Sequence, residues 1–307
     1  MVFTLGSSVV VRLAGGLGNQ MFQYAMGRAL AERHGARLCV DRWSGFAQDR
    51  RYRRTYQLGR LPIVATELSG WSALAALGNA WYLWNRALAP GSQVSWVYRP
   101  TRRTTLITER GQYFNASVMD ADLARTCWTD GYWQSPRYFA EIAEKIATEL
   151  QPPRPQSHSW RSAGEQMASQ DSVAVGIRLY EETQRPGDHA RDGKQKTTAD
   201  IQGALARQLD ASPRSHVYVF CTHRAPLLDQ MVWPTKTTFI TNDSGRHGTL
   251  DTLWLMSQCR HHVITNSTFY WWGAWLSSMK WVEQGHRIFA ADNFINRDTL
   301  PSNWVSF

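Results

Sequence analysis

The residues best suited to chemistry fall at four places along the chain. Arg178 ends the run Val173-Ala-Val-Gly-Ile-Arg178, at the C-terminal end of a predicted strand. An arginine there can grip a phosphate with two parallel N–H groups and keeps its charge at any working pH. Glu181 and Glu182 follow at once, so the bare pattern also reads as a salt-bridged strand end. Asn266, Ser267 and Thr268 stand where another predicted strand gives way to a helix. Their polar side chains and the first N–H groups of that helix would form an anion site, with the helix dipole adding attraction. Asp251 lies near the start of a further helix, where a carboxylate can be a cap or a first-turn charge. A carboxylate can also accept two parallel hydrogen bonds from the N1–H and N2–H of guanine. Gly15, Gly16 and Gly18, with Asn19 and Gln20, make a glycine-rich turn between strand and helix. Such a turn lets backbone come close to a ligand, or is only a tight connection.

Rival signals are weaker. Asp120-Ala-Asp122 has the DxD spacing of metal-dependent transferases, but its context, Met119 to Ala124, reads as a helix start with first-turn acids. His261 and His262 precede a strand with no carboxylate pattern beside them, so no metal site is expected. Cys39, Cys127, Cys221 and Cys259 form no CxxC and read as reduced, partly buried thiols. No G-x-S-x-G elbow and no Walker A sequence occurs. The run Trp271, Trp272 and Trp275 reads as core packing before sugar stacking.

These residues need a frame to hold them. Ser8–Leu13 reads as a buried strand. A helix carries Phe22, Met26 and Leu30 on one stripe, with Asn19 as its N-cap, and Leu38–Val40 forms the next strand. Phe139, Ile142, Ile146 and Leu150 mark an amphipathic helix that stops at Gln151-Pro-Pro-Arg-Pro-Gln-Ser157. Beyond it, strands are expected at 173–177, 216–221, 237–240, 262–265 and 287–290, with helices at 199–209, 250–258 and 270–279. Alternation of this kind implies parallel sheets covered by helices. The fold class is therefore α/β, with two Rossmann-like domains, 1–152 and 153–307, facing a cleft. The chain has 307 residues, 43% hydrophobic and 19% charged, which excludes a disordered protein. Its formal charge of +9 rests on 34 cations, five Lys and hence 29 Arg, spread along the sequence. That distribution, with no recognisable motif, argues against a nucleic-acid partner. No signal peptide is visible. Leu68 to Asn85 is uncharged but carries Ser, Gly, Asn and four Trp or Tyr rings, a poor membrane span. A cytoplasmic location is expected, with peripheral contact to the inner membrane as an option.

Four segments in order, Gly15–Tyr24, Gly131-Tyr-Trp-Gln-Ser135 with Tyr138-Phe139, Leu250–Ser257 and Asn266–Leu276, resemble glycosyltransferase family 11, the α-1,2-fucosyltransferases. The resemblance implies a GT-B-like fold and a GDP-sugar donor, GDP-fucose. It implies inverting transfer to a galactoside hydroxyl in α-1,2 linkage, with no cofactor and no required metal. On that basis Arg178, Asp251, Asn266, Ser267 and Thr268 belong to the donor site, Asp251 reading guanine. The acceptor, an oligosaccharide or glycoconjugate such as a lipid-linked O-antigen unit, lies near Gly15–Gln20. Glu181 aligns with the family's aspartate and is the first choice for general base, with Glu182 and Asp188 as alternatives. One departure stands out. The family's His-x-Arg-Arg-Gly-Asp-Tyr is here Gly176-Ile-Arg-Leu-Tyr-Glu-Glu182. The loss of its histidine and second arginine leaves open another GDP-deoxysugar, or a nucleotide- or glycan-binding homologue without turnover.

Overall fold

Strand β1, Ser8–Arg12, is the middle of a five-stranded parallel sheet ordered β3-β2-β1-β5-β4. Its partners are β2 (Arg37–Asp41), β3 (Thr66–Leu68), β4 (Thr104–Thr108) and β5 (Thr126–Asp130). The computed structural model describes residues 6–47, 49, 52–68, 104–123, 125–180, 194–241, 248–283 and 285–307. Val9, Val10 and Val11 are buried without the alternation of a half-exposed strand, as expected of a parallel strand covered on both faces. The Leu17–Arg33 helix crosses against β1 so closely that a Cβ on Gly27 would lie 2.0 Å from Val11 Cγ2. Glycine at 27 is what lets that helix and strand meet.

The second sheet is also parallel, with six strands ordered β11-β10-β9-β6-β7-β8. They are β6 (Ser172–Gly176), β7 (His216–Cys221), β8 (Thr237–Thr241), β9 (His261–Ile264), β10 (Ile288–Ala290) and β11 (Val305–Ser306). One core joins Val173, Val175, Val217, Val219, Val263 and Phe289 to Ile201 and Leu205 of the Thr198–Ala211 helix. A second core is aromatic. Trp271 stacks on Trp275 at 6.0 Å and meets Trp272 at 5.0 Å and Trp304 at 5.4 Å. Trp271 Nε1 donates to Thr299 O. The tryptophan run is core, as its spacing suggests. All four cysteines are free and buried.

The chain divides into two compact units, Met1–Leu150 and Gln151–Phe307. Several sequence expectations need correction. Asn19 does not cap the first helix: the helix begins at Leu17, with Gly16 at the cap. No helix starts at Asp120. Residues 121–123 are irregular, and Asp120 is an exposed partner of Arg33 at 2.6 Å. The 139–150 segment opens as a single 3-10 turn before the Ala143–Glu149 helix. A helix at His158–Ser169, not expected from the sequence, follows the proline-rich stretch directly and buries Gly164 and Met167. Among the described residues no helix is long and apolar enough to cross a membrane. Most of the uncharged Leu68–Asn85 stretch lies outside the described residues.

Candidate functional site

In open parallel sheets, ligands bind beyond the C-terminal strand ends, where the strand order reverses. In the second unit that point lies between β6 and β9. From β6 the chain winds outward through β7 and β8, then returns to β9, β10 and β11 on the other side. Arg178 follows β6, and Asn266-Ser267-Thr268 follow β9. The fold thus brings together two sequence segments about ninety residues apart.

Thr265 fastens them. Its N–H and its hydroxyl both donate to Gly176 O, at 2.9 and 3.1 Å, and its Oγ1 accepts the Arg178 N–H at 2.8 Å. The Thr268–Lys280 helix then starts with Ser267 as N-cap and no side-chain cap hydrogen bond. Ser267 and Thr268 thus stand at the positive end of a helix dipole, in the segment that Thr265 ties to the half-buried Arg178. Such a group can bind a multiply charged anion. Asn266 is used differently. Its Nδ2 donates to Tyr180 Oη at 2.9 Å, Lys194 O at 2.7 Å and Asn293 O at 3.4 Å, so it braces the site from behind.

Two departures from the family pattern have physical counterparts. Gly176, in the histidine position, lies under the Tyr270 ring, and a Cβ there would come within 2.7 Å of Tyr270 Cγ. Tyr270 Oη donates to Ile177 O at 3.2 Å. Tyr180, in the glycine position, has φ +59°. The backbone there lies in the left-handed region that favours glycine, yet it carries a bulky side chain. Asp251 is the third residue of the Thr249–Gln258 helix, and its Oδ2 accepts the Gly248 N–H at 3.1 Å. The capping role that its position suggested is therefore realised. Glu181, Glu182 and Asp188 lie outside the described residues.

In the first unit the corresponding reversal lies between β1 and β5, and the glycine turn follows β1. Gly15 has φ +76°, and a Cβ on it would meet Asn19 Nδ2 at 2.6 Å. Gln20 is fully buried. It donates to Gly15 O and Thr55 O, both at 2.9 Å, and accepts from the N–H groups of Gln57 and Leu58. It therefore holds the turn against the 55–58 segment instead of facing a ligand. Gln23 ties Ala14 N to Gly131 O, and Gln134 Nε2 donates to Asn19 Oδ1 at 3.1 Å. The Gly15–Tyr24 and Gly131–Ser135 motifs thus form one hydrogen-bonded structure. Gly18 is buried inside the helix, while Gly16 faces the Arg54 guanidinium. Arg54, Thr265, Lys194 and Asn293 were given no role from sequence, and Gln23, Gln134 and Tyr180 stood there only as members of the family-like segments. Each is polar or aromatic with no periodic signal of its own, and its role exists only through contacts made by folding.

His261 and His262 are structural. His261 Nε2 pairs with Asp171 at 3.0 Å and its Nδ1 accepts the Arg287 N–H, while His262 bonds to Cys259 O. Burial pushes both imidazole pKa values down, that of His262 to about 3. Among the described residues no group of three His, Cys, Asp or Glu side chains could hold a metal ion.

Comparison with known proteins agrees with this geometry. The model of glycosyl transferase family 11 matches residues 109–307. An alpha-1,2-colitosyltransferase of Escherichia coli is 28% identical over 324 aligned residues, covering 97% of this chain and 98% of its own. The O-antigen biosynthesis glycosyltransferase WbnK, also of Escherichia coli, is 37% identical over 73 residues, 21% of this chain and 24% of its own. Among solved structures, a mutant of Arabidopsis thaliana FUT1 in complex with GDP superposes with a TM-score of 0.50 at 14% identity, covering 93% of this chain and 70% of that one. At that identity the likeness is one of fold, and the fold is GT-B-like.

Proposed function

Because the chain belongs to glycosyl transferase family 11, we propose that it transfers a deoxysugar, fucose in the first instance, from a GDP-sugar to a galactoside hydroxyl in α-1,2 linkage. The observation that carries this reading is the convergence of Arg178 with Ser267 and Thr268 at the strand-order reversal of the second sheet. Arg178 and the helix N-terminus would take up the negative charge that grows on the departing diphosphate, the task a metal performs elsewhere. Asp251 would hold guanine by accepting from its N1–H and N2–H. The acceptor would sit at the Gly15–Gln20 turn, with Gly15, Gly16 and Asn19 nearest to it and Gln20 as the brace behind. A single displacement at the anomeric carbon inverts its configuration, and Glu181 is the proposed base for the acceptor hydroxyl proton.

A second donor has specific support. The relative that aligns end to end is named for colitose, another deoxysugar, and for the same α-1,2 linkage. The family's histidine and second arginine are replaced here by Gly176, which packs under Tyr270, and by Leu179, which joins the apolar core; a donor sugar with fewer hydroxyls would need fewer polar contacts from this strand end. Proton NMR of the product tests both points. An α-1,2-linked fucoside whose anomeric configuration is opposite to the donor's is expected. A product retaining the donor's configuration would overturn the single-displacement mechanism, and a preference for another GDP-deoxysugar would replace fucose.

A further inference from the structure

Tyr180 is an expensive residue. It is a bulky side chain at φ +59°, a left-handed backbone that residues with a side chain rarely adopt. Strain of this kind persists where the surroundings hold it in place, and it concentrates at functional sites. The surroundings here are specific. The Tyr180 ring is buried, with the Arg178 guanidinium 4.5 Å above its centroid. Its hydroxyl accepts from Asn266 Nδ2 at 2.9 Å and reaches Lys194 O at 3.4 Å. Asn266 is the residue before the Ser267 N-cap, and Asn293 Nδ2 adds a further bond to Lys194 O at 3.2 Å.

We propose that Tyr180 is a positioning residue for Arg178: its ring is the platform that aims the guanidinium, and its hydroxyl fixes that platform to the N-terminus of the Thr268–Lys280 helix. A guanidinium on a flexible chain loses rotamer freedom whenever it binds. A stacked one has been ordered before the ligand arrives. The left-handed turn at 180 is what brings the ring back under a side chain only two residues earlier. An extended backbone would send residues 178 and 180 out in parallel. Asn266 thereby gains a role distinct from ligand contact, since it holds Tyr180 in register with Ser267 and Thr268. This role rests on the reading of Arg178 as a diphosphate ligand.

The test is a double-mutant cycle with GDP as the probe, read by isothermal titration calorimetry on the full chain, with circular dichroism as the control for folding. Arg178→Ala is expected to lose at least tenfold in affinity. Tyr180→Leu removes the platform and is expected to lose about tenfold by itself. Tyr180→Phe keeps the ring and loses only the latch to Asn266, a loss of about threefold. In the Arg178→Ala background neither change at 180 should cost anything more, because its effect passes through the arginine. Should Tyr180→Leu fail to fold, the Phe variant and its double mutant decide. Losses at 180 that add fully to that of Arg178→Ala would overturn the proposal, as would undiminished affinity in the 180 variants beside a weakened Arg178→Ala. Undiminished GDP affinity in Arg178→Ala, or no GDP binding by the wild type, would overturn the diphosphate reading and the Tyr180 role with it.

Discussion

At the scale of single residues, the account depends on a few side chains whose roles can be separated. Asp251 has two candidate roles, since its Oδ2 already accepts the Gly248 N–H. Asp251→Asn separates them. The amide oxygen can still cap Gly248, but the second acceptor becomes a donor facing a donor. GDP affinity is expected to fall by roughly 1–3 kcal/mol with UDP affinity and thermal stability nearly unchanged. Equal losses for both nucleotides would remove Asp251 from base recognition. Gly176 makes a different point. Restoring the family's histidine should not restore a family site, because the Tyr270 ring occupies that space. Even Gly176→Ala is expected to destabilise the protein by about 1–3 kcal/mol through overpacking, measured as a shift in the urea midpoint. An unchanged midpoint would mean that Tyr270 moves aside freely. Arg178, Asp251, Ser267 and Thr268 stand out in the sequence by type and by their places at element ends, while their assignment to a donor site came with the family resemblance. Tyr180 was not. A tyrosine acquires its meaning from a backbone angle and a stacked neighbour, and neither leaves a mark in a single sequence.

At the scale of elements, the second half of the chain was the more legible. Its buried strands are short apolar runs between turn residues, and β7 falls at His216–Cys221 as read. The other expected strands and helices shift by one or two residues at their ends. The first half was harder to read. Strands β3, β4 and β5 each begin with Thr and together hold no Val and one Ile, Ile107, so they lack the continuous aliphatic run that marks the buried strands of the second sheet. Strand β9 supports a prediction about pH. His262 is fully buried and its pKa is lowered to about 3 by burial, against an ordinary value near 6.5, while His261 shifts the same way. Below about pH 6.5 the unfolded chain binds a proton that the folded protein refuses. Stability should therefore fall as pH drops through the window from 6.5 toward 3, at up to about 1.4 kcal/mol per unit for one such group. The urea midpoint is expected to drop between pH 7 and pH 5, and to drop less in His262→Leu. Equal drops in both proteins would show that His262 does not contribute.

At the scale of the whole molecule, each of the two parallel-sheet units carries a polar or glycine-rich segment at the reversal of strand order, the glycine turn in one and Arg178 with Ser267 and Thr268 in the other. The family follows from motif order, and the fold agrees with it. The sugar does not follow in the same way: the strand end after β6 departs from the family pattern at Gly176, Leu179 and Tyr180, and the end-to-end relative is named for colitose. Arg178 is central to the functional reading. Arg178→Ala should reduce transfer at least a hundredfold, as loss of a charged transition-state contact does, with the melting temperature unchanged; full activity would exclude the diphosphate role. The most direct test is GDP release from GDP-fucose in the presence of EDTA, across a panel of galactosides. Release that rises with one acceptor and needs no added metal is the predicted result. Strict dependence on a divalent metal, or release that no acceptor increases beside clear turnover of a UDP-sugar, would contradict the account.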